Sequence, residues 1–486
     1  MDLQADIIST YKATIDAAPE AITQIKAYGR ATAPLFDKST EHPFDVLRNL
    51  KPLYDTMKAA IHTPAGLQAL AIHWATAIAY GYEQTYKYVL NNTPDIKLNA
   101  TDYSGDPITG IYGIDKDTPS RNKPRHCLPG DRVLLNDMSY HHAKFNHSFT
   151  PTDLPIYFCP RTNAGTKVLK NPVGGSSTLD YPCAGPTFFM DMDFEGDDLQ
   201  AISVPTNSNN VDLSFVNCNI VGGWSPGTGG PNNKWGVLGN LQGRSLIPDG
   251  LGWIWLGGSI TGIAQEHCNY FHNLQGNILL LAGVFKHCGR TAFQLANRTT
   301  EGPDGRGNVF IWDCEITDTC LEQGGGGSAI SFNGNHQGLI HIYGTTVSLG
   351  CDSSLVGPYN KNITGAFVST AGQGSAGRPN GDIVIQGCDF QVGQFYPGVG
   401  SARRTNVVIA DCTSAKIKNT VIKNFPGTAA ALEIKTASVT TLPVLIEGCT
   451  VLGDILVSGH AYKDPNRDGS GLAALKAAAR SDVQVV

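Results

Sequence analysis

A short acidic segment holds the densest group of side chains that could do chemistry. Residues 190–198 read MDMDFEGDD, which places Asp191, Asp193 and Glu195 at every second position. On a single strand the three carboxylates would share one face, where like charges repel unless a cation or a polar ligand relieves them. Carboxylate oxygens also suit calcium. The pattern makes all three candidate catalytic acids, and Asp191 and Asp193 candidate calcium ligands. A solvated strand face is the alternative.

The cysteines indicate the architecture that must position such residues. Seven of the 12 cysteines follow a short apolar run and one small or polar residue, as in SFVNCNI, FIWDCEI and VIQGCDF. From Cys218 to Cys449 their gaps are 50, 20, 26, 74, 24 and 37 residues, and most lie near multiples of about 25. A repeat of that length, made of short strands and turns, predicts a solenoid.

The sequence between these cysteines divides into three short strands per coil. After Cys288 the chain reads TAFQLAN, a polar excursion, NVFIW and then CEI. This pattern predicts a mainly β protein, a right-handed parallel β-helix over residues 126–460, with the cysteines packed inside as small hydrophobes. Alignment on the cysteines places His267, His287, Asp313 and Asp411 in one column at the tight turn. We favour an architectural role for that column over a catalytic one.

The repeated turns from 217 to 450, together with the segment LPGDRVL at 128–134, resemble the pectin-lyase-like superfamily of right-handed β-helices. The resemblance covers roughly residues 125 to 460. That superfamily contains polysaccharide lyases, glycosidases, esterases and phage tailspikes, so the resemblance implies a fold and leaves the chemistry open.

In that superfamily the substrate generally lies along the sheet of the first strands, flanked by the longer loops. The outward first-strand residues would here be Gln294, Ser331 and Ser369. Loop charges and aromatic rings that could contact a sugar chain extend this set. The candidate substrate-binding residues are Trp224, Trp235, Gln294, Arg298, Arg306 and Tyr359. Trp253 and Trp255 share one strand face and fit either a ligand site or the core.

The ends of the chain differ from the repeat. Residues 1–92 predict an α-helical N-terminal domain, whose last helix carries an apolar stripe that packs within one chain or forms an assembly face. Residues 93–125 predict a polar connector, and 461–486 a C-terminal tail with a short helix. The stripe residues are Leu67, Leu70, Ala71, Trp74, Ile78, Tyr82, Tyr86 and Val89.

Charge and composition narrow the function classes. The formal net charge of -6 and the lack of a basic run argue against nucleic-acid binding. No segment predicts a membrane span, and the first residues do not read as a secretory signal. We expect a tailspike- or adhesin-like homotrimer, on a virion or extracellular, that binds a surface polysaccharide, and the sequence leaves open whether it also cleaves it. A purely structural virion protein and a free polysaccharide lyase or glycoside hydrolase are the alternatives.

Overall fold

A computed structural model describes the chain from residue 111 onward, with gaps. The described residues are 111–112, 132–135, 139–141, 143–144, 156–160, 166–169, 179–180, 187–190, 192–196, 200–204, 213–216, 218–222, 235–239, 251–263, 267–272, 277–296, 308–319, 328–333, 336–350, 366–370, 380–392, 406–424 and 430–486. The predicted N-terminal helical domain and most of the predicted connector lie outside them.

Three sheets contain all the described strands. Sheet A is formed by β1 (Ile111–Tyr112), β4 (Ala143–Lys144), β7 (Leu179–Asp180), β10 (Gln200–Val204), β13 (Trp235–Gly239), β16 (Asn269–His272), β19 (Phe293–Ala296), β22 (Ser328–Asn333), β25 (Ala366–Ser369), β28 (Val407–Ile409), β31 (Leu432–Ile434), β34 (Ile455–Val457) and β35 (His460–Tyr462).

Sheet B is formed by β2 (Arg132–Leu135), β5 (Ile156–Pro160), β8 (Thr187–Met190), β11 (Leu213–Val216), β14 (Leu251–Leu256), β17 (Asn277–Leu281), β20 (Val309–Trp312), β23 (Ile340–Tyr343), β26 (Ile383–Gln386), β29 (Ala415–Lys418), β32 (Val444–Glu447) and β36 (Val483–Val485). Sheet C is formed by β3 (Ser139–His141), β6 (Thr166–Leu169), β9 (Met192–Gly196), β12 (Asn219–Gly222), β15 (Ser259–Ile263), β18 (Val284–Cys288), β21 (Glu315–Thr317), β24 (Thr346–Leu349), β27 (Asp389–Val392), β30 (Val421–Lys423) and β33 (Thr450–Leu452).

From β1 to β31, each strand pairs with the strand three places further along the chain. The pairs β11 with β14, β12 with β15 and β13 with β16 are all parallel, and the same step continues to β33. One coil therefore gives one strand to each sheet, which is the strand arrangement of a parallel β-helix. The prediction of a mainly β chain with parallel sheets is confirmed, and the right hand of the coil stays a prediction.

Alternating side chains from the three sheets fill the interior. Phe189, Phe215 and Trp255 stack from coil to coil, with ring centroids 5.1 and 5.2 Å apart. Trp253 and Trp255 are both buried in this core, so neither indole is available to a ligand. The repeat of Ile, Val, Leu and Phe at every second strand position supplies the rest of the core, as parallel strands require.

The corner between sheet B and sheet C is the same in eight successive coils. From β11 to β33 this B–C corner always has two residues. In the seven corners from Gly257 to Gly448 the first residue has a positive φ, between 45° and 64°. Its N–H donates to a carbonyl of the next coil, as Asp313 does to Tyr343 at 2.8 Å. Because the corner backbone is bonded from coil to coil, its length cannot vary without breaking that ladder.

The second corner residue forms a column of small side chains. In order the column is Cys218, Gly258, Gly283, Cys314, Thr345, Cys388, Thr420 and Cys449. The Cys314 thiol donates to the carbonyls of Trp312 and Leu280, at 3.3 and 3.5 Å. The Thr345 hydroxyl donates to the equivalent carbonyls one coil later, both at 3.1 Å. Thiol and hydroxyl thus donate to equivalent backbone carbonyls in successive coils. The spacing between successive column residues ranges from 25 to 43 residues.

Two sequence interpretations are corrected by this column. Cys268 precedes β16 in sheet A, and Cys412 lies between β28 and β29, so neither occupies the B–C corner. The predicted column of His267, His287, Asp313 and Asp411 is therefore wrong. His267 precedes β16, Asp313 lies in a B–C corner and Asp411 lies between β28 and β29. His287 lies within β18, beside Cys288. The alignment failed because it treated every Cys as the same turn.

The C-terminal residues continue the fold instead of leaving it. The expected short helix is present as α1 (Ser470–Ala477), and a 3-10 turn covers Thr436–Ser438. After α1 the chain returns to sheet B, where β36 pairs in parallel with β32. The hairpin of β34 and β35 ends sheet A with its antiparallel pair. The solenoid thus uses residues that the sequence assigned to a tail beyond 460.

Candidate functional site

Sheet A is the one sheet of the described coils with long connectors along both of its edges. Between β12 and β32, the connectors that enter and leave sheet A have 4 to 16 residues. The B–C corners over the same coils have two. All large variation in chain length therefore falls along the two edges of sheet A. A sheet face bordered by variable connectors is a common place for binding residues on a rigid scaffold.

The outer face of sheet A carries a column of polar and aromatic side chains. We call Tyr270, Gln294, Ser331 and Ser369 the sheet A floor, because they are successive partners in register. Val408 and Glu433 continue the column on β28 and β31. Tyr270, Gln294 and Ser369 are half-buried and Ser331 is 8% exposed. Neighbouring coils lie about 4.8 Å apart, so the floor offers one group per step along the solenoid.

Local contacts fix two members of this floor. The Ser331 hydroxyl donates to Asn333 Oδ1 on the same strand, at 3.1 Å. The Tyr270 ring stacks on the buried His267 ring, with centroids 4.8 Å apart and planes 14° from parallel. The Thr291 N–H donates to His267 Nδ1 at 3.3 Å, and its hydroxyl also contacts that nitrogen. The buried histidine therefore acts as a support that orients an aromatic ring on the floor.

The predicted substrate-binding residues all map to sheet A or to its connectors by chain order. Gln294 lies on β19, and Trp235 is the first residue of β13. Trp224 lies between β12 and β13, Arg298 and Arg306 between β19 and β20, and Tyr359 between β24 and β25. Only Gln294 has a described side chain. Those of Trp224, Trp235, Arg298, Arg306 and Tyr359 lie outside the described residues.

The acidic segment lies elsewhere, and its predicted single strand is wrong. The chain changes sheets inside it, since β8 ends at Met190 in sheet B and β9 begins at Met192 in sheet C. Asp193 and Glu195 do share the outer face of sheet C, half-buried and exposed respectively. Asp191 lies outside the described residues. The sequence does not mark the change of sheet, because apolar and acidic residues continue to alternate in MDMDF across the corner.

Asp193 already has a structural partner on sheet C. The Asn219 amide donates to Asp193 Oδ1 at 2.8 Å, and the Ser259 hydroxyl donates to Asn219 Oδ1 at 2.9 Å. These three side chains form a ladder over three coils. A carboxylate used in this way holds the sheet face together, and the structure brings neither it nor Glu195 to the sheet A floor.

The described residues contain no group of three or more His, Cys, Asp or Glu that could hold a metal ion. Calcium binding through Asp191 and Asp193 stays a prediction, because Asp191 is outside that part of the chain. No helix in the described ranges is long and apolar enough to cross a membrane.

Sequence reasoning missed Tyr270, the aromatic member of the floor. Its signal was the alternation in CNYFH, where Asn269 and Phe271 point inward and Tyr270 outward. Because the adjacent Cys268 was aligned with the cysteines of the B–C corner, Tyr270 was not assigned to the outer face of sheet A.

Comparison of the chain with family models, with curated proteins and with solved structures found no match.

Proposed function

We propose that this chain is a tailspike- or adhesin-like β-helix protein whose sheet A floor binds a surface polysaccharide. The observation that carries the proposal is the register of Tyr270, Gln294, Ser331 and Ser369 along a face whose two edges carry every long connector. Cleavage of the bound chain is a second step, to be tested on the same face.

The chemistry of the floor suits a sugar polymer. Hydroxyl and amide groups donate and accept hydrogen bonds without a net charge, as a polyhydroxylated ligand needs. An aromatic ring adds a flat apolar surface for the apolar face of a pyranose. A linear polymer repeats its groups along one direction, as the stacked coils do. Variable connectors at the edges then supply selectivity without changing the floor.

Some parts of the proposal come from the resemblance alone. The right-handed pectin-lyase-like coil, the trimeric assembly and the place on a virion or outside a cell remain predictions. None of them is needed for the floor to bind a glycan.

A panel of purified acidic and neutral polysaccharides, with and without calcium, tests the proposal. Binding is measured by affinity electrophoresis, and cleavage by the absorbance of unsaturated uronate together with new reducing ends. A rise in both signals indicates a lyase, and reducing ends alone indicate a hydrolase. Retention on at least one polysaccharide without either signal supports a binding protein.

Matched variants assign the binding to a face. Gln294→Ala removes one neutral donor and acceptor from the floor and is expected to weaken binding about three- to tenfold. Tyr270→Ala removes the ring and is expected to weaken it about tenfold or more. Gln391→Ala is the control, since Gln391 holds the same type of outward position on sheet C. Equal losses in all three variants would mean that the floor is not the binding face. No retention on any polysaccharide would favour the purely structural virion role.

A further inference from the structure

The chain leaves the regular path of the solenoid after β34. In the coil before, nine residues lead from β31 in sheet A to β32 in sheet B. After β34, residues 458–482 come before β36 in sheet B, and they contain β35 and α1. We call residues 458–486 the end segment, and the structure describes all of them. The end segment lies where a further coil would follow.

A side chain of the end segment takes the place of a backbone carbonyl of that further coil. In the coil before, the Asn424 N–H donates to the carbonyl of Leu452 at 2.9 Å. Gly453 holds the register position of Asn424 one coil later. The Gly453 N–H donates to Asp464 Oδ2 at 2.9 Å, and Asp464 is 2% exposed. Asp464 therefore satisfies a donor at the edge of sheet C that could otherwise pair with another strand.

Strands of the end segment close the other two sheets. On sheet A, β35 pairs with β34 in the antiparallel direction, whereas β34 pairs with β31 in parallel. On sheet B, β36 continues the parallel ladder, and the Gly448 N–H donates to the Val486 carbonyl at 3.3 Å. β36 has three residues, and Asp482 before it accepts hydrogen bonds from Arg480 at 2.7 and 2.6 Å. A short edge strand beside charged groups resists pairing with another chain.

The helix α1 lies across the interior of the last coil. It contacts β33 of sheet C, β34 and β35 of sheet A, and β36 of sheet B. Leu475 of α1 is 1% exposed and belongs to the same buried cluster as Val451 and Ile455 of the last coil. A Cβ on Gly471 would lie 3.2 Å from the Gly453 carbonyl oxygen, so the start of α1 rests directly on the coil. The helix therefore covers the apolar interior of the coil.

The outward side of the end segment is mostly polar. Its exposed residues include Lys463, Arg467, Asp468 and Lys476. Within this fully described segment, Val486 is the one exposed large apolar residue, at 58%. A polar outer face is what the terminal unit of a solenoid needs to stay separate from other chains.

Without the end segment, one end of the solenoid would be open. The strands β32, β33 and β34 would offer three edges, one from each sheet, around an apolar interior. Such edges pair most readily with edges of the same arrangement, which a second copy of this chain supplies. We propose that the end segment is a cap that keeps two copies of this chain from joining at this end of the solenoid. This inference does not depend on glycan binding.

Gly471→Leu in the full-length chain tests the cap. The added side chain has no room between α1 and the Gly453 carbonyl, so α1 is expected to leave the coil. Two identical ends close on each other as a symmetric pair, so the molar mass measured by light scattering should rise about twofold. Hydrogen exchange should become faster over 470–477, where α1 is lost, and slower over 450–457, where strand edges become paired. Ala474→Leu is the matched control, because it adds the same side chain on the exposed side of α1.

The proposal is overturned if exchange becomes faster over 470–477 while the molar mass stays that of the unsubstituted chain. It is also overturned if Ala474→Leu raises the mass equally, or if the mass rises without protection of 450–457. Asp464→Ala opens the cap in a second way, by removing the acceptor of the Gly453 N–H, and Asp468→Ala is its exposed control. If Gly471→Leu fails to fold or leaves α1 in place, this second pair decides. An unchanged mass in Asp464→Ala then overturns the proposal.

Discussion

The B–C corners and the connectors of sheet A show two ways of joining strands in one solenoid. At the B–C corners the backbone bonds from coil to coil, and at several of them a thiol or hydroxyl does so too, so the corner has two residues in eight coils. At the edges of sheet A the connectors differ in length by a factor of four. The difference teaches that one edge is fixed by stacking. The edges of sheet A are free to vary in connector length.

The largest loss of stability is expected at a glycine of the B–C corner. Gly258 has a φ of +70°, and a Cβ there would lie 1.9 Å from the Cys218 carbonyl oxygen. That oxygen accepts the Ser259 N–H at 3.1 Å, so it cannot move without breaking the ladder. We expect Gly258→Ala to lower the free energy of unfolding by about 4 kcal/mol or more. Urea unfolding followed by circular dichroism measures this.

The control for that prediction is a glycine with a similar backbone and open space. Gly459 has a φ of +82°, and a Cβ there would meet nothing within 4 Å. Gly459→Ala should cost only the left-handed backbone strain, about 1 to 2 kcal/mol. Equal losses for the two substitutions would show that the corner ladder adds nothing beyond local strain.

The second prediction concerns the buried carboxylate of Asp464, which accepts hydrogen bonds from the loop around it. Asp464 is 2% exposed and accepts the N–H groups of Gly453 and Gly469 at 2.9 and 3.0 Å. It also accepts the Asp468 N–H and the Ser470 hydroxyl. Asp464→Ala leaves these donors without their acceptor and should cost about 3 kcal/mol. Asp468→Ala removes a single exposed bond to the Ser470 N–H and should cost about 1 kcal/mol or less.

The same carboxylate gives a pH dependence with a definite sign. Burial alone would raise the pKa of Asp464, but its four hydrogen bonds outweigh burial and lower the pKa from 3.8 to about 2. Because the folded pKa is depressed, the stabilisation is present above pH 4 and is lost as the pH falls towards 2. Asp464→Asn should make the unfolding midpoint depend less on pH between pH 4 and 2. An unchanged pH dependence would contradict the role given to the Asp464 carboxylate.

Particular residues show how far the sequence could predict this architecture. The strands around Cys288 and Gln294 were predictable, because apolar residues such as Phe293 and Leu295 alternate with outward residues such as Gln294 between clear turns. The coil length was not. The same corner is occupied by Gly258, Thr345 and Cys388, whose side chains have only small size in common. A pattern search for Cys finds half of the column and adds residues such as Cys268 from another corner.

The candidate site was only partly predictable for a related reason. The outward direction of Gln294 follows from strand alternation and needs no knowledge of neighbouring coils. The separation of Asp193 from the floor depends on a sheet change near Asp191, which no Gly or Pro marks. The burial of Phe310 on the outer face of sheet B is marked by no local pattern.

The third prediction tests whether thiol and hydroxyl are equivalent in the corner column. Cys388 donates to the carbonyls of Gln386 and Ile342, at 3.4 and 3.6 Å. Cys388→Thr keeps a donor that Thr345 and Thr420 already use, so we expect a change within about 0.5 kcal/mol. Cys388→Ala removes the donor and part of the packing, and should cost about 1 to 2 kcal/mol. Thermal unfolding midpoints rank the two variants, and the reverse order would contradict the equivalence.

The column thiols should also be chemically inert. Burial raises the pKa of Cys314 and of Cys388 from 9.0 to about 12. Because the pKa of these thiols is raised in the folded state, the stability that they contribute is fully present below pH 9. It is lost as the pH rises towards 12. At pH 8 these thiols should react with a disulfide reagent only after unfolding. Rapid labelling of either one in the folded chain would contradict the burial of the column.

The smallest expected effect lies on the outer face of sheet C, away from both kinds of connector. Lys286 Nζ lies 2.8 Å from Glu315 Oε1, with side chains 35 and 49% exposed. Water and salt screen such a pair, so Lys286→Gln should change the unfolding free energy by less than about 0.5 kcal/mol. The same variant should bind polysaccharide as the unsubstituted chain does. A larger loss of stability would mean that sheet C is covered by a partner. A loss of binding would mean that the glycan lies on this face, and the contrast with sheet A would then fail.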